Sequence, residues 1–143
     1  MPSSPSQRDT SLPEVSVVVA VIAVLATMTA PALQRAWQSY GLTAAAAEVR
    51  TALHRTRIRA VMGNQDCRVR VTSAATYLIE CETPDWTPIA FYRLGKGFTI
   101  TANNRPEFHP MGNVAPMATI TVWNERGQNR RIITSRGGRI RTE

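Results

Sequence analysis

The chemistry this chain offers most plainly is cationic. Six arginines, Arg126, Arg130, Arg131, Arg136, Arg139 and Arg141, crowd its C-terminal end, where the only acid is Glu143. Arg139 and Arg141 are spaced i, i+2, so on a strand both point to one face while Ile140 points to the other. A guanidinium is always charged and presents a rigid fork of donors suited to phosphate oxygens. Arg130, Arg131, Arg136, Arg139 and Arg141 are therefore candidate DNA-backbone contacts. The alternative is a structural tail or a subunit contact, because the chain carries sixteen Arg against one Lys, Lys96, and so uses arginine almost everywhere.

Nucleophilic and acid–base chemistry are poorly supplied. His54 and His109 are far apart, and the carboxylates (Asp66, Glu80, Glu82, Asp85, Glu107, Glu125) are scattered without a convincing pair. His109 beside Pro110 reads as a structural or exposed loop residue rather than a base. There is no Gly-rich phosphate loop, HExxH, CxxC or nucleophile elbow. The expectation is a non-enzyme with no catalytic residue, no metal site and no cofactor. Cys67 and Cys81 are the only cysteines, and their role depends on the strands that carry them.

Those elements begin with an apolar run. Residues 15–34 hold no charge in twenty positions, the length at which a helix spans a bilayer, about 20 residues. With 43% apolar residues overall, disorder throughout is excluded. A cleaved signal peptide fits less well. The h-region is too long, Arg8 is offset by Asp9 and Glu14, and Ala30-Pro31-Ala32 puts proline where it hinders cleavage. One membrane helix followed by an exported domain is the expectation. Local charge points the other way: Arg35 and four further arginines by position 59 weakly place the C-terminal side in the cytoplasm. Glu14, at the edge of the run, is a carboxylate that needs either a partner or a place at the headgroups.

Beyond the run, Leu42, Ala46, Val49, Leu53, Thr56 and Ala60 step by four and three, the spacing of one helical face. Gly63-Asn64 is the stop signal. This predicts one helix of about 45 to 50 residues, its outer half lying against a sheet. Arg50, Arg55, Arg57 and Arg59 are expected on its solvated face rather than in a nucleic-acid groove.

The period then changes to two. Strands over 67–71 and 77–81, turning about Ala74, set Val71 against Tyr77, Val69 against Ile79 and Cys67 against Cys81. Arg68 then opposes Glu80 on the other face, apolar in and charged out. Opposed residues lie close enough for a disulfide, and an exported domain meets an oxidising compartment. A Cys67–Cys81 bridge is favoured over two buried thiols. Further strands are expected at 89–94, 98–101, 119–124, 130–135 and 138–141, punctuated by Gly and Pro. Helix first and antiparallel strands after give an α+β arrangement.

Two stretches carry a resemblance. Asp9-Thr10-Ser11-Leu12-Pro13-Glu14-Val15, followed by VVVAVIAVLA, resembles the class III signal of type IV pilins and pseudopilins, which read Gly-Phe-Thr-Leu-Ile-Glu before an apolar helix. Ser11, Leu12 and Glu14 fall in register, and Pro31 falls on the proline that kinks that helix. The C-terminal half looks like the GspH/FimT family of minor pseudopilins and pilins. It holds Phe108-His-Pro110-Met-Gly112, Thr119-Ile-Thr, Asn124 with Gly127, Arg130-Arg-Ile-Ile and a final Gly138-Arg-Ile-Arg141.

The resemblance implies a pilin-like fold, a long N-terminal helix packed on an antiparallel β domain. It implies residues 1–9 as a cytoplasmic leader, 10–34 as the membrane part of the helix, 35–63 as its amphipathic part and 64–143 as a periplasmic β domain. It assigns Asp9 and Thr10 to processing by prepilin peptidase, and Glu14 and Pro31 to filament assembly. The implied partners are other pilin or pseudopilin subunits, the peptidase and the inner membrane. DNA joins them where the Gly-Arg-x-Arg end serves DNA uptake, as in some FimT-like minor pilins. The implied role is a subunit of a type II secretion pseudopilus or a type IV pilus. Asp9 stands where the family has Gly and Thr10 where it has Phe, so a charged side chain meets a peptidase that takes none. Processing is expected to be slow or absent, and restored by Asp9→Gly.

Overall fold

The structure, a computed structural model, describes residues 12–143 apart from the side chains at 28–32, 34, 35 and 38. The leader over 1–9 and the processing pair Asp9 and Thr10 lie outside the described residues. The chain divides into two compact units, Met1–Trp37 and Gln38–Glu143.

In the first unit, helix α1 (Leu12–Gly63) begins with Glu14 in its first turn, where a carboxylate is favoured by the helix dipole. The side chains of residues 12–27 are exposed on every side of the helix, Val17, Val18, Ile22 and Leu25 among them. Among the described residues, no helix is long and apolar enough to cross a membrane. The described apolar stretch, 12–27, is shorter than the about 20 residues a span needs. The span expected over 10–34 thus reaches beyond what those residues display. Pro31 lies within the helical backbone, its side chain outside the described residues.

In the second unit, Leu42, Ala46, Val49, Leu53, Thr56 and Ala60 are all buried, as their spacing predicts, together with Ala45 and Ala52. The Thr56 hydroxyl can be buried because it donates to the Ala52 carbonyl at 2.8 Å. The helix stops where Asn64 takes a left-handed conformation, φ 48°. The Gln65 N–H then bonds back to the Ala60 carbonyl, a Schellman-type closure of the last turn.

Two four-stranded antiparallel sheets follow. The first comprises β1 (Cys67–Ser73), β2 (Thr76–Glu82), β3 (Trp86–Arg93) and β5 (Glu107–Phe108), in the order β3-β2-β1-β5. The second comprises β4 (Phe98–Ala102), β6 (Thr119–Asn124), β7 (Asn129–Thr134) and β8 (Ile140–Thr142), in the order β4-β6-β7-β8. One core joins the helix to both sheets, through Val49 and Leu53 on the helix, Val69 and Tyr77 on the first sheet, and Ile120 and Ile132 on the second. Within that core the Tyr77 and Tyr92 rings stack at 5.1 Å. The fold is α+β, a helix packed on antiparallel sheets.

The hairpin register is the expected one. Val71 pairs with Tyr77, Val69 with Ile79, Arg68 with Glu80 and Cys67 with Cys81. The two cysteines form a disulfide, with Cα atoms 4.1 Å apart. The charged face of that hairpin differs from expectation. Glu80 is not in water but only 3% exposed, held at 2.7 Å by both Arg68 and Arg70. Arg68 also lies 3.9 Å over the Trp86 ring, a favourable cation–π arrangement. Two guanidiniums and an indole close over the carboxylate, so this face carries a small buried ion cluster. β5 went unforeseen because two residues are too few to show alternation.

Candidate functional site

The five arginines proposed for DNA contact lie on or beside the β7–β8 hairpin but not on one surface. Paired residues of an antiparallel sheet point to the same face, and Ile133 pairs with Arg141 while Arg131 and Glu143 exchange both backbone hydrogen bonds. Arg131, Ile133, Arg139, Arg141 and Glu143 therefore share the face turned away from the core. Arg130 alternates with them and sits on the helix side, lining a groove with Thr43, Ala47, Arg50, Thr142 and the C-terminal Glu143. Arg136 lies in the β7–β8 turn, where its carbonyl accepts the Val114 N–H. All five side chains are exposed. The one nearby acid, Glu143, reaches Arg131 at 3.6 Å across a solvent-exposed pair, a contact worth at most about 1 kcal/mol.

The glycines of the two motifs meet each other. Gly112 and Gly138 both have positive φ, 80° and 77°. A side chain on Gly138 would run into the Gly112 carbonyl oxygen and the Arg57 guanidinium. That carbonyl accepts a hydrogen bond from Arg57 Nε at 3.0 Å. Arg57 is thus not part of a solvated basic face. It reaches from the helix to pin the Pro110-Met-Gly112 loop against the turn that launches Arg139 and Arg141. Arg50, Arg55 and Arg59 are exposed as expected. His54, between Arg50 and Arg57 on the same helix, has its pKa lowered by partial burial and then by those two cations.

A second cluster was not foreseen. His109 Nδ1 lies 2.8 Å from Asp66 Oδ1, and Glu107 completes a group whose potential ligand atoms all lie within 4.8 Å of one another. His109 lies in the loop after β5, and the β1–β5 pairing brings it onto the residue that precedes β1. Partial burial and then the Asp66 carboxylate push the Glu107 carboxyl above its ordinary range, His109 and Arg68 pull it down, and Glu82 adds to the upward push. Asp66 and His109 are 43 residues apart, so no spacing rule could have joined them.

No protein-family model matches the chain, and no curated protein sequence does. Solved structures do match. The minor pilin FimU of Pseudomonas aeruginosa superposes with a TM-score of 0.61 at 17% identity, covering 74% of this chain and 90% of its own. The minor pseudopilin EpsH from the type 2 secretion system of Vibrio cholerae gives 0.62 at 13%, covering 71% and 95%. GspH of E. coli gives 0.58 at 16%, covering 78% and 89%. At such identities the likeness is one of fold, and it spans most of each partner. A long helix packed on antiparallel sheets, matched over most of the length of these minor pilins and pseudopilins, gives this chain a GspH/FimT-like pilin fold.

Proposed function

We propose that the chain is a minor pilin or pseudopilin subunit, of a type II secretion pseudopilus or a type IV pilus, that assembles through its N-terminal helix. The observation that carries this is the first part of α1, a helix apolar and exposed on all sides. A helix hydrophobic all round belongs in lipid or between other apolar helices. Over the full uncharged run, residues 15–34, it suffices for a single pass of the inner membrane, with residues 64–143 as a periplasmic domain. Glu14 stands exposed in its first turn. In an assembled bundle of such helices, its carboxylate would pair with the amino terminus of a neighbouring subunit, setting register more than net stability. Pro31 belongs to the same packing helix. The amine that pairs with Glu14 is that of Thr10, so the pair forms in the subunits that prepilin peptidase, slowed by Asp9, has cleaved. The role is structural: no catalytic residue or cofactor enters it.

The test is a photo-crosslinking amino acid at Val18 of the full chain in its native host. Adducts with other pilin-like subunits are expected, and Glu14→Leu should abolish them while leaving the protein in the membrane. Membrane-inserted protein that yields no such adduct would overturn the assembly role. A DNA-uptake role is the second reading, favoured by the common exposed face of Arg131, Arg139 and Arg141. The plainer account of the same residues is that charged side chains guard β8, an edge strand, against pairing with other sheets.

A further inference from the structure

Strand pairing places four ionisable side chains at one corner of the first sheet. β1 and β5 pair Cys67 with Phe108 and Arg68 with Glu107, and continuing that register sets Asp66 opposite His109. Cys67 and Phe108 point into the core and are fully buried. Asp66, His109 and Glu107 therefore share the opposite face, Glu107 and His109 through their i, i+2 spacing. The β1–β2 register likewise carries Glu82 to the position opposite Asp66, where the Glu82 N–H bonds the Asp66 carbonyl at 2.9 Å.

The corner is concentrated negative charge on a chain of net charge +7. Two carboxylates, Asp66 and Glu107, gather with one imidazole, and Glu82 lies opposite Asp66 on the neighbouring strand. The neighbouring cation, Arg68, lies opposite Glu107 but is engaged by Glu80 at 2.7 Å and by the Trp86 ring. The scaffold behind is rigid. The Cys67–Cys81 disulfide lies directly beneath, and the His109 N–H and carbonyl are both tied into their loop, to Asn113 and Gly112. Asp66, Glu107 and His109 are each part-buried, half withdrawn from competing water.

We propose that Asp66, Glu107 and His109 form a binding site for a divalent transition-metal ion of the Zn²⁺ class. One imidazole nitrogen with two carboxylate oxygens is a donor set for Zn²⁺ and its borderline neighbours, whereas Ca²⁺ and Mg²⁺ take oxygen ligands. Ligands about 2.1 Å from an ion lie about 3.0 to 3.4 Å from one another. The 2.8 Å Asp66–His109 contact already has nearly that span, and the others, within 4.8 Å, close on the ion by side-chain rotation. Three ligands from one face leave positions open to water or to Glu82. Such an ion clips the segment after α1 to β5 and its loop, on the side opposite the disulfide. It would be a structural ion holding the end of the helix to the sheet.

The experiment uses the full chain in detergent micelles, stripped with chelator and titrated calorimetrically with Zn²⁺, Ca²⁺ and Mg²⁺. One Zn²⁺ per chain is expected, with no uptake of Ca²⁺ or Mg²⁺ at the same concentrations. His109→Ala and Glu107→Gln should each weaken Zn²⁺ binding more than about tenfold, whereas His54→Gln should leave it unchanged. Saturating Zn²⁺ should raise Tm by about 5 °C or more, and the shift should vanish in Glu107→Gln, which keeps the Asp66–His109 contact. Co²⁺ should give visible absorption bands that Glu107→Gln removes, a readout independent of stability. Absence of stoichiometric Zn²⁺ binding, binding that survives in a folded Glu107→Gln chain, or binding lost on His54→Gln would each overturn the proposal.

Discussion

Replacing Gly138 with alanine tests whether the junction of the two glycine motifs holds the C-terminal hairpin. Two costs add. Gly138 has φ 77°, and a Cβ in the left-handed region costs about 1–2 kcal/mol, partly offset by about 0.4–1 kcal/mol from a less flexible unfolded chain. The added carbon would also overlap the Gly112 carbonyl oxygen, which is backbone, and sit 2.8 Å from Arg57 Nε. Relieving that means moving a turn or breaking the Arg57–Gly112 hydrogen bond, at about 1–3 kcal/mol. The total is about 1–5 kcal/mol, a large part of a stability of about 5–15 kcal/mol. Gly127 supplies the control. Its φ is 76°, and a Cβ there meets nothing within 4 Å, so Gly127→Ala should cost only the conformational part, about 1 kcal/mol or less. Urea unfolding of both variants, followed by tryptophan fluorescence in the same micelles, isolates the steric part. At about 4–8 °C per kcal/mol for a domain of this size, the two should differ in Tm by roughly 10 °C. Equal destabilisation of the two variants would refute the close approach of Gly112 and Gly138.

The DNA reading predicts weak, sequence-indifferent binding whose salt dependence follows the number of phosphates neutralised. Arg139→Gln with Arg141→Gln should lower the log–log slope by up to about 2, and Arg130→Gln, on the other face, should change it less; anisotropy of labelled duplex across a salt series decides, and an unchanged double-mutant slope defeats it. Thiol titration of the unfolded, unreduced chain should find no free cysteine, and Cys67→Ser with Cys81→Ser should cost about 3 kcal/mol for a loop of this length. His54 has a folded pKa below 6.5 through partial burial and then Arg50 and Arg57. Folding thus disfavours its cation, so its contribution is undiminished above pH 6.5 and falls as pH drops through the unfolded and then the folded pKa. The imidazole is largely exposed and the effect small; NMR titration should show a midpoint below that of a free histidine, moving up in Arg50→Gln.

What the sequence by itself determined is what local periodicity and short-range registry control. The helical face from Leu42 to Ala60 is buried because a 3.6-residue repeat leaves those side chains no other common direction. The 67–81 hairpin was legible because its alternation leaves one apolar face, with Val69, Val71, Tyr77 and Ile79 on it and Cys67 against Cys81, whereas the register shift between Val71 and Ser73 was not. The α+β order follows from the change of period at Gly63. Tertiary structure decided everything that joins distant segments. Glu80 was taken as an outward charge, and only the arrival of β3, which brings Trp86 over Arg68, encloses it. Arg57 looked like one more solvated arginine until a loop 55 residues away placed its carbonyl in reach. The C-terminal arginines were legible as a cluster, but their division between two faces of a sheet depends on register with β6 and β7. His109 looked alone because its partner Asp66 is brought to it by a two-residue strand, too short to carry a pattern, through pairings that no sequence spacing records.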